Sequence, residues 1–288
     1  MKLKIAFVIN PISGIGRQNK IEEIIKNSID LDKFDFSLEY TKYHKHATLL
    51  SKELSESNDI IVAVGGDGTI NEISKSLIDT NVMLGIIPIG SGNGIARHFK
   101  IPLDIKKSIE RINRLRFKKI DTATLNSEPF VMLSGFGFDS KIAYKFKMNK
   151  KRGFWGYAKL ILKNIFSYKS EEYEIIIDGI MIKKKAYLIT VANCSQFGNN
   201  VVIAPCASAE DNVLDIVVIN DVPMSKKLMI FLRLLNGSLE KSKYVDFYKG
   251  REIRIKQKNQ SAQIDGESVL SGSDINIRIN HESLSLIY

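Results

Sequence analysis

Gly65-Gly66-Asp67-Gly68-Thr69-Ile70-Asn71-Glu72 sets three glycines and a carboxylate in front of a helical pattern. Glycine lets backbone N–H groups come against a polyphosphate, and the positive end of a helix dipole favours the anion. A carboxylate adds little to phosphate binding alone. It has a purpose if Asp67 handles Mg²⁺ or a reacting proton; the competing use is a helix cap. Pro88-Ile89-Gly90-Ser91-Gly92-Asn93-Gly94 repeats the theme, with Arg97 within reach of a phosphate and His98 read as a surface histidine. Asn10-Pro11-Ile12-Ser13-Gly14, followed by Gly16-Arg17, is a third, weaker version, no different by itself from an ordinary strand-to-helix loop. Near the far end Asp265-Gly266-Glu267 reads by residue type as a hairpin turn.

Each of the three glycine segments follows an apolar run, which is where open α/β sheets bind ligands. Ile5 to Ile9, Asp59 to Val64 and Val82 to Ile87 read as strands buried on both sides, and Phe36, Leu38 and Tyr40 alternate. Between them Ile21, Ile24, Ile25 and Ile29, then Ala47, Leu50 and Leu54, then Ile70, Ile73 and Leu77 recur at helical spacing. The rhythm predicts a parallel sheet covered by helices over 1–117. Beyond it short strands dominate, around Ile120–Leu125, Phe130–Ser134, Tyr173–Ile177, Tyr187–Ala192, Val213–Ile219, Ile253–Lys256 and Ile275–Ile279. Asp178-Gly179 marks a hairpin, and helices interrupt near Trp155–Phe166 and Met224–Leu239. The expectation is α/β plus all-β, with an antiparallel β-sandwich over 118–282.

Bulk composition narrows the field. The 288 residues, 44% of them hydrophobic, suffice for two cores, and the net charge of +10 seeks anions unless it is only a lysine-rich surface. Cys194 and Cys206 form no metal-ligand cluster and fit a reducing, cytoplasmic compartment. The apolar start ends at Asn10-Pro11 without a cleavage site, and no run is long enough to cross a bilayer. There is no Walker loop, no protein-kinase signature and no Rossmann fingerprint after the first strand. Nucleic-acid binding has the charge but no recognisable module.

The three glycine blocks, in this order and at this spacing, resemble the diacylglycerol kinase catalytic family, which includes bacterial lipid kinases and sphingosine and ceramide kinases. The resemblance continues through Gly135-Phe136-Gly137-Phe138-Asp139, Ala204-Pro205, Asp211 to Asp215 and Asp265-Gly266-Glu267, nearly the whole chain. It implies an N-terminal domain like those of phosphofructokinase and NAD kinase, and a C-terminal β-sandwich for the lipid. It also implies a final strand near 283–288 that returns to the first domain, and an active site in the cleft between domains. The implied reaction is ATP-dependent phosphorylation of a lipid hydroxyl, of diacylglycerol or sphingoid type, within phospholipid metabolism. By position, Asn10, Pro11, Ser13, Gly14, Thr41, Gly65, Gly66, Gly68, Thr69, Asn71, Glu72, Ser91, Asn93 and Asp265 fall to the ATP side. Glu267 matches the proton acceptor, Asp67 its carboxylate partner at metal and γ-phosphate, and Ser208, Asp211 and Val213 a structural Mg²⁺ site.

The chain departs from the family pattern at Gly94, where many diacylglycerol-type members carry an acid, at Phe197-Gly198-Asn199-Asn200, and at Asp211-Asn212 where Asp-Gly is usual. NAD kinases also carry Gly-Gly-Asp-Gly-Thr, so a small-molecule kinase is one rival reading; a non-catalytic lipid- or nucleotide-binding protein is another. Lys145, Lys147, Lys150, Lys151 and Arg152 alternate with Phe146, Phe154, Trp155 and Tyr157. That mixture suits peripheral contact with an anionic membrane, or simply a basic loop before a helix that packs inward. A homodimer is an allowed assembly.

Overall fold

A computed structural model describes residues 2–13, 18–148 and 154–288. The chain divides into two units, one holding the residues up to Ile120 together with Glu282–Tyr288, the other Asp121–His281.

The first unit alternates β1 (Leu3–Ile9), α1 (Gln18–Ser28), β2 (Phe34–Tyr40), α2 (His46–Ser55), β3 (Ile60–Gly65), α3 (Asp67–Leu77), β4 (Met83–Pro88), α4 (Gly94–His98) and α5 (Ile105–Arg114). β4, β3, β1 and β2 lie side by side in that order, all parallel, with Phe7 opposite Leu38 on one side and Val62 on the other. The central strands are apolar from Ile5 to Ile9 and from Ile60 to Val64 because both faces are covered there: α1 packs with α5, and α2 with α3. Ile21 and Ile25 of α1 and Ile109 and Ile112 of α5 close over Ile5, Phe7, Val62 and Val64. Truncating Phe7 to alanine in such a core costs about 3–5 kcal/mol. Asp104 starts α5 by accepting from the Lys107 N–H at 3.0 Å, and Leu115, at φ 52°, ends it.

The chain continues through β5 (Phe117–Leu125), β6 (Glu128–Phe130), β7 (Leu133–Gly137), α6 (Phe138–Lys147), α7 (Phe154–Asn164), β8 (Glu171–Ile177), β9 (Ile180–Ala192), β10 (Leu214–Asn220), α8 (Met224–Leu235), β11 (Val245–Gly250), β12 (Glu252–Lys256), β13 (Ser261–Ile264), β14 (Glu267–Leu270) and β15 (Asp274–Ile287). The second unit is antiparallel, in the order β14-β13-β7-β9-β8-β12-β15, with β10 and β11 added on the far half of β9. β9 pairs with β8 through Ile180–Ala186 and then with β7 and β10 through Leu188–Ala192. A long strand that changes partners in this way turns the corner of a sandwich. Phe130, Phe136, Ile175, Ile189, Ile216 and Ile253 fill its core. Asp178 and Gly179, both at positive φ, make the expected tight hairpin between β8 and β9.

Three elements differ from expectation. β9 begins at Ile180, not near Tyr187, because Lys183 and Lys185 face solvent and hide the strand period. The helix expected to reach Leu239 stops at Leu235, and Leu239–Lys241 is a separate single turn. β15 is one continuous strand from Asp274 to Ile287, where separate strands at Ile275–Ile279 and near 283–288 were expected, and its Ser285 and Leu286 lie parallel to β4 inside the first unit. Among the described residues no helix is long and apolar enough to cross a membrane.

Candidate active site

The loops that follow β1, β3 and β4 leave the same end of a parallel sheet, and β2 delivers the buried Thr41 there. Asn10 accepts the Ile12 N–H at 3.0 Å to form a tight turn and donates its amide to Thr69 Oγ1 at 2.8 Å, tying the first loop to α3. Pro11 and Ser13 complete that turn, the Ser13 N–H donating to the Asn10 carbonyl at 3.1 Å. Gly65 gives Thr69 its room: a Cβ there would come within 2.5 Å of the threonine Cβ. Gly66 and Gly90 touch backbone to backbone, and a Cβ on Gly90 would lie 2.5 Å from Gly66 Cα. Asp67, in the first turn of α3, accepts the Gly94 N–H at 2.6 Å and so joins the second block to the third. Asn93, at φ 51°, donates to the Gly90 carbonyl at 2.9 Å, and Arg97 to Gly92 at 3.1 Å, so the arginine braces the loop. Ser91 is exposed at the loop tip.

Gly68 is different from its neighbours. A Cβ added there would meet nothing within 4 Å. Its lack of a side chain answers no need of the packing and leaves open space at the N-terminal turn of α3, where a dipole favours an anion. Asn71 and Asn93 are buried, and each has an Oδ1 with no hydrogen-bond partner. Unmatched buried acceptors call for donors, such as hydroxyl or amino groups or water. Glu72 is spent elsewhere: it accepts from the Lys45 and Ala47 N–H groups at 3.3 and 3.2 Å, capping the first turn of α2 from the side.

In the second unit, Asp265 and Gly266 form the two-residue turn between β13 and β14, at φ 49° and 84°, and pair Ile264 with Glu267. The Asp265 carboxylate accepts three successive backbone N–H groups, of Val131, Met132 and Leu133, at 3.0, 2.9 and 3.0 Å. Its own N–H donates to the Leu133 carbonyl at 2.9 Å. This residue, expected on the nucleotide side, is thus occupied as an anchor of the turn, and Glu267 follows it, half-buried. Gln263 and Asp139, which sequence reasoning did not single out as functional, pack beside the turn. Asp139 closes the segment Gly135 to Asp139 through which the family resemblance runs, and Gly135 makes room for it: a Cβ there would lie 1.9 Å from Asp139 Oδ2.

The loop of Ser208, Asp211 and Val213 offers hard oxygen donors of the kind Mg²⁺ takes. Its carboxylate already has a cation: Lys249 Nζ lies 3.1 Å from Asp211 and 3.4 Å from the buried Asp215, beside a cavity of about 310 Å³. The described residues contain no group of three or more His, Cys, Asp or Glu that could hold a metal ion. In this structure Asp211 is thus engaged by the Lys249 ammonium. A carboxylate such as that of Asp67 is of the chemical type that holds Mg²⁺ together with substrate phosphates. Gly14, Gly16 and Arg17, and Lys150, Lys151 and Arg152, lie outside the described residues, as do the side chains of Phe154 and Trp155.

Residues 4–125 match the diacylglycerol kinase catalytic domain, and residues 134–287 match the YegS C-terminal NAD kinase beta sandwich-like domain. The diacylglycerol kinase of Bacillus subtilis strain 168 is 26% identical over 279 residues, covering 94% of this chain and 92% of its own. That of Staphylococcus saprophyticus is 23% identical over 293 residues, covering 96% and 94%. A crystal structure of a diacylglycerol kinase from Bacillus anthracis strain Sterne shares the fold, with TM-score 0.78 over 99% of this chain and 96% of that one, at 22% identity.

Proposed function

The chain belongs to the diacylglycerol kinase catalytic family, and on that premise we propose that it transfers the γ-phosphate of ATP to a lipid hydroxyl. The observation that carries this reading is the bare backbone contact of Gly66 with Gly90 beside the open Gly68 at the start of α3. It supports a polyphosphate held by main-chain N–H groups, with no lysine of Walker type. The unmatched Oδ1 atoms of Asn71 and Asn93 suit the donor groups of a ribose or an adenine.

In this reading Glu267 accepts the hydroxyl proton as the lipid oxygen bonds to phosphorus, and the bond to the β-phosphate oxygen breaks to release ADP. Asp67 would hold Mg²⁺, which when bound neutralises charge on the β and γ oxygens. Asn10 and Thr69 fix the loop beneath the phosphates, and Asp265 fixes the turn that bears the base. Glu72, being a cap of α2, acts on the site only through the seating of α3. The acceptor places the protein at a cytoplasmic membrane surface, with Lys145 and Lys147 of the described basic residues near Phe146. Charge reversal at Lys150, Lys151 and Arg152 should then weaken binding to anionic vesicles, and unchanged binding would remove the membrane contact from the reading.

The test is incubation with labelled ATP and a total lipid extract, with NAD as a competing acceptor. Label is expected in a lipid and not in NADP. Asp67→Asn and Glu267→Gln should each lower turnover by about 10²–10⁴-fold with the fold intact. Labelled NADP, or undiminished turnover in both variants, refutes the proposal.

A further inference from the structure

Asp139 is buried in the first turn of α6, 4% exposed, and belongs to none of the machinery assigned above. Its Oδ2 accepts from Gln263 Nε2 at 3.0 Å, and its Oδ1 from the Tyr157 hydroxyl at 3.4 Å. Gln263, 2% exposed, uses the other end of its amide to accept the Gly266 N–H at 2.7 Å. An amide side chain can be set in its site either way round. Here one end faces a carboxylate, which only accepts when ionised, and the other faces an N–H, which only donates, so a single orientation satisfies both. Gly135 is without a side chain at the point where Asp139 Oδ2 enters.

A buried acid is costly unless its hydrogen bonds are made. Asp139 stands in the first turn of α6, where an acid suits the helix dipole, but it does not cap the helix: the N-cap is Gly137, at φ 74°, and no side chain caps it. The carboxylate makes a single link to the turn, through Gln263, and that turn carries Glu267. The hydrogen bond from the Gly266 N–H to Gln263 Oε1 is independent of the three that Asp265 accepts, so the turn is gripped from two sides. We infer that Asp139 is a positioning residue which, by orienting the Gln263 amide, fixes the Asp265-Gly266 turn and with it the carboxylate of Glu267. This rests on the assignment of Glu267 as the proton acceptor.

The consequence is measurable on the whole chain. In Asp139→Ala, Gln263→Leu and their double variant, amide exchange at Gly266 should speed up while exchange in β1 and β3 stays as in the wild type. With labelled ATP and mixed lipid vesicles, kcat should fall by roughly 10–100-fold, the loss expected when a reacting group shifts by about an ångström. KM for ATP should stay within about twofold, and the double variant should lose no more than the worse single one, as for two residues acting through one link. Asp139→Asn, which keeps an oxygen to accept from Gln263, should recover most of the turnover. Multiplicative losses in the double variant, or a loss of kcat with Gly266 exchange unchanged, would overturn the inference. Should Asp139→Ala not fold, Gln263→Leu and Asp139→Asn decide it by the same two readouts. Glu267→Gln is measured alongside. If it retains turnover, the base assignment fails first and the positioning role with it. If it is inactive while Asp139→Ala and Gln263→Leu turn over normally, only the positioning role fails.

Discussion

At Gly66 and Gly90 two backbones touch where any side chain would collide; at Asp265 a side chain reaches out and gathers three backbone N–H groups. The first arrangement is made by subtraction. The loops meet because the residues there are the smallest ones, with the parallel strands beneath to align them and Asp67 to join one loop to the next. The second is made by addition, a two-residue turn held by Asp265 from one side and by Gln263 from the other. The difference teaches what each region can tolerate. A loop made by subtraction fails when atoms are added, and a turn made by addition fails when atoms are removed.

The sharpest way to break that comparison is Asp265→Ala. It leaves three N–H groups of Val131 to Leu133 without their acceptor, and the expected loss of stability is about 3–5 kcal/mol in denaturant unfolding. A loss below about 1 kcal/mol would mean that water replaces the carboxylate without cost. Next in size is a pH effect. Burial pushes the Asp139 carboxyl up to about 6 from its ordinary 3.8, against smaller lowering effects of Gln263 and Tyr157. Folding therefore takes up a proton in that window. The contribution of Asp139 is complete below about pH 4 and lost as pH rises through about 6, by up to about 3 kcal/mol. Asp139→Asn should remove this slope from stability measured between pH 4 and 7, and an unchanged difference between wild type and variant would show that Asp139 does not titrate there.

The smallest effects give the finest test. Gly90→Ala must displace Gly66 or Asn93 and should cost about 1–3 kcal/mol and ATP affinity together. Gly68→Ala meets no protein atom and, as a helical position, should leave stability unchanged or raised by up to about 1 kcal/mol. Its only expected damage is to ATP binding, seen as a raised KM. If Gly68→Ala binds ATP normally, the space beside it is not where the phosphates sit.

Much of this was legible in the chain itself. The apolar runs of β1 from Ile5, of β3 and of β4 read clearly because burial on both faces keeps polar side chains out of them. The glycine blocks read clearly because a loop that must approach a ligand or another backbone admits almost no other residue. Other features were hidden for physical reasons. The use of Glu72 is set by α2 amides 25 and 27 residues away, and that of Asp139 by a glutamine 124 residues away, distances over which local pattern carries no information. Phe138, Ile142 and Ala143 do mark the buried face of α6, but the span is short and begins inside a strand-like run. β13 and β14 are brief, and in β11 the exposed Phe247 and Lys249 alternate with the half-buried Asp246 and Tyr248, so an apolar ring on the exposed side blurs the pattern. Asn212, standing where Gly is usual in the family pattern, became explicable only with its φ of 56°, a left-handed geometry that asparagine tolerates better than most residues.

β15 has a bearing on how the protein is born. Ser285 and Leu286 lie beside β4 in the sheet that carries the glycine loops, yet they come after every residue of the sandwich in the chain. During synthesis, β4 is therefore left with an uncovered flank for as long as the whole sandwich takes to be made. A bare parallel edge is the kind of surface on which foreign strands add. That flank is closed only when Ser285 and Leu286 reach it.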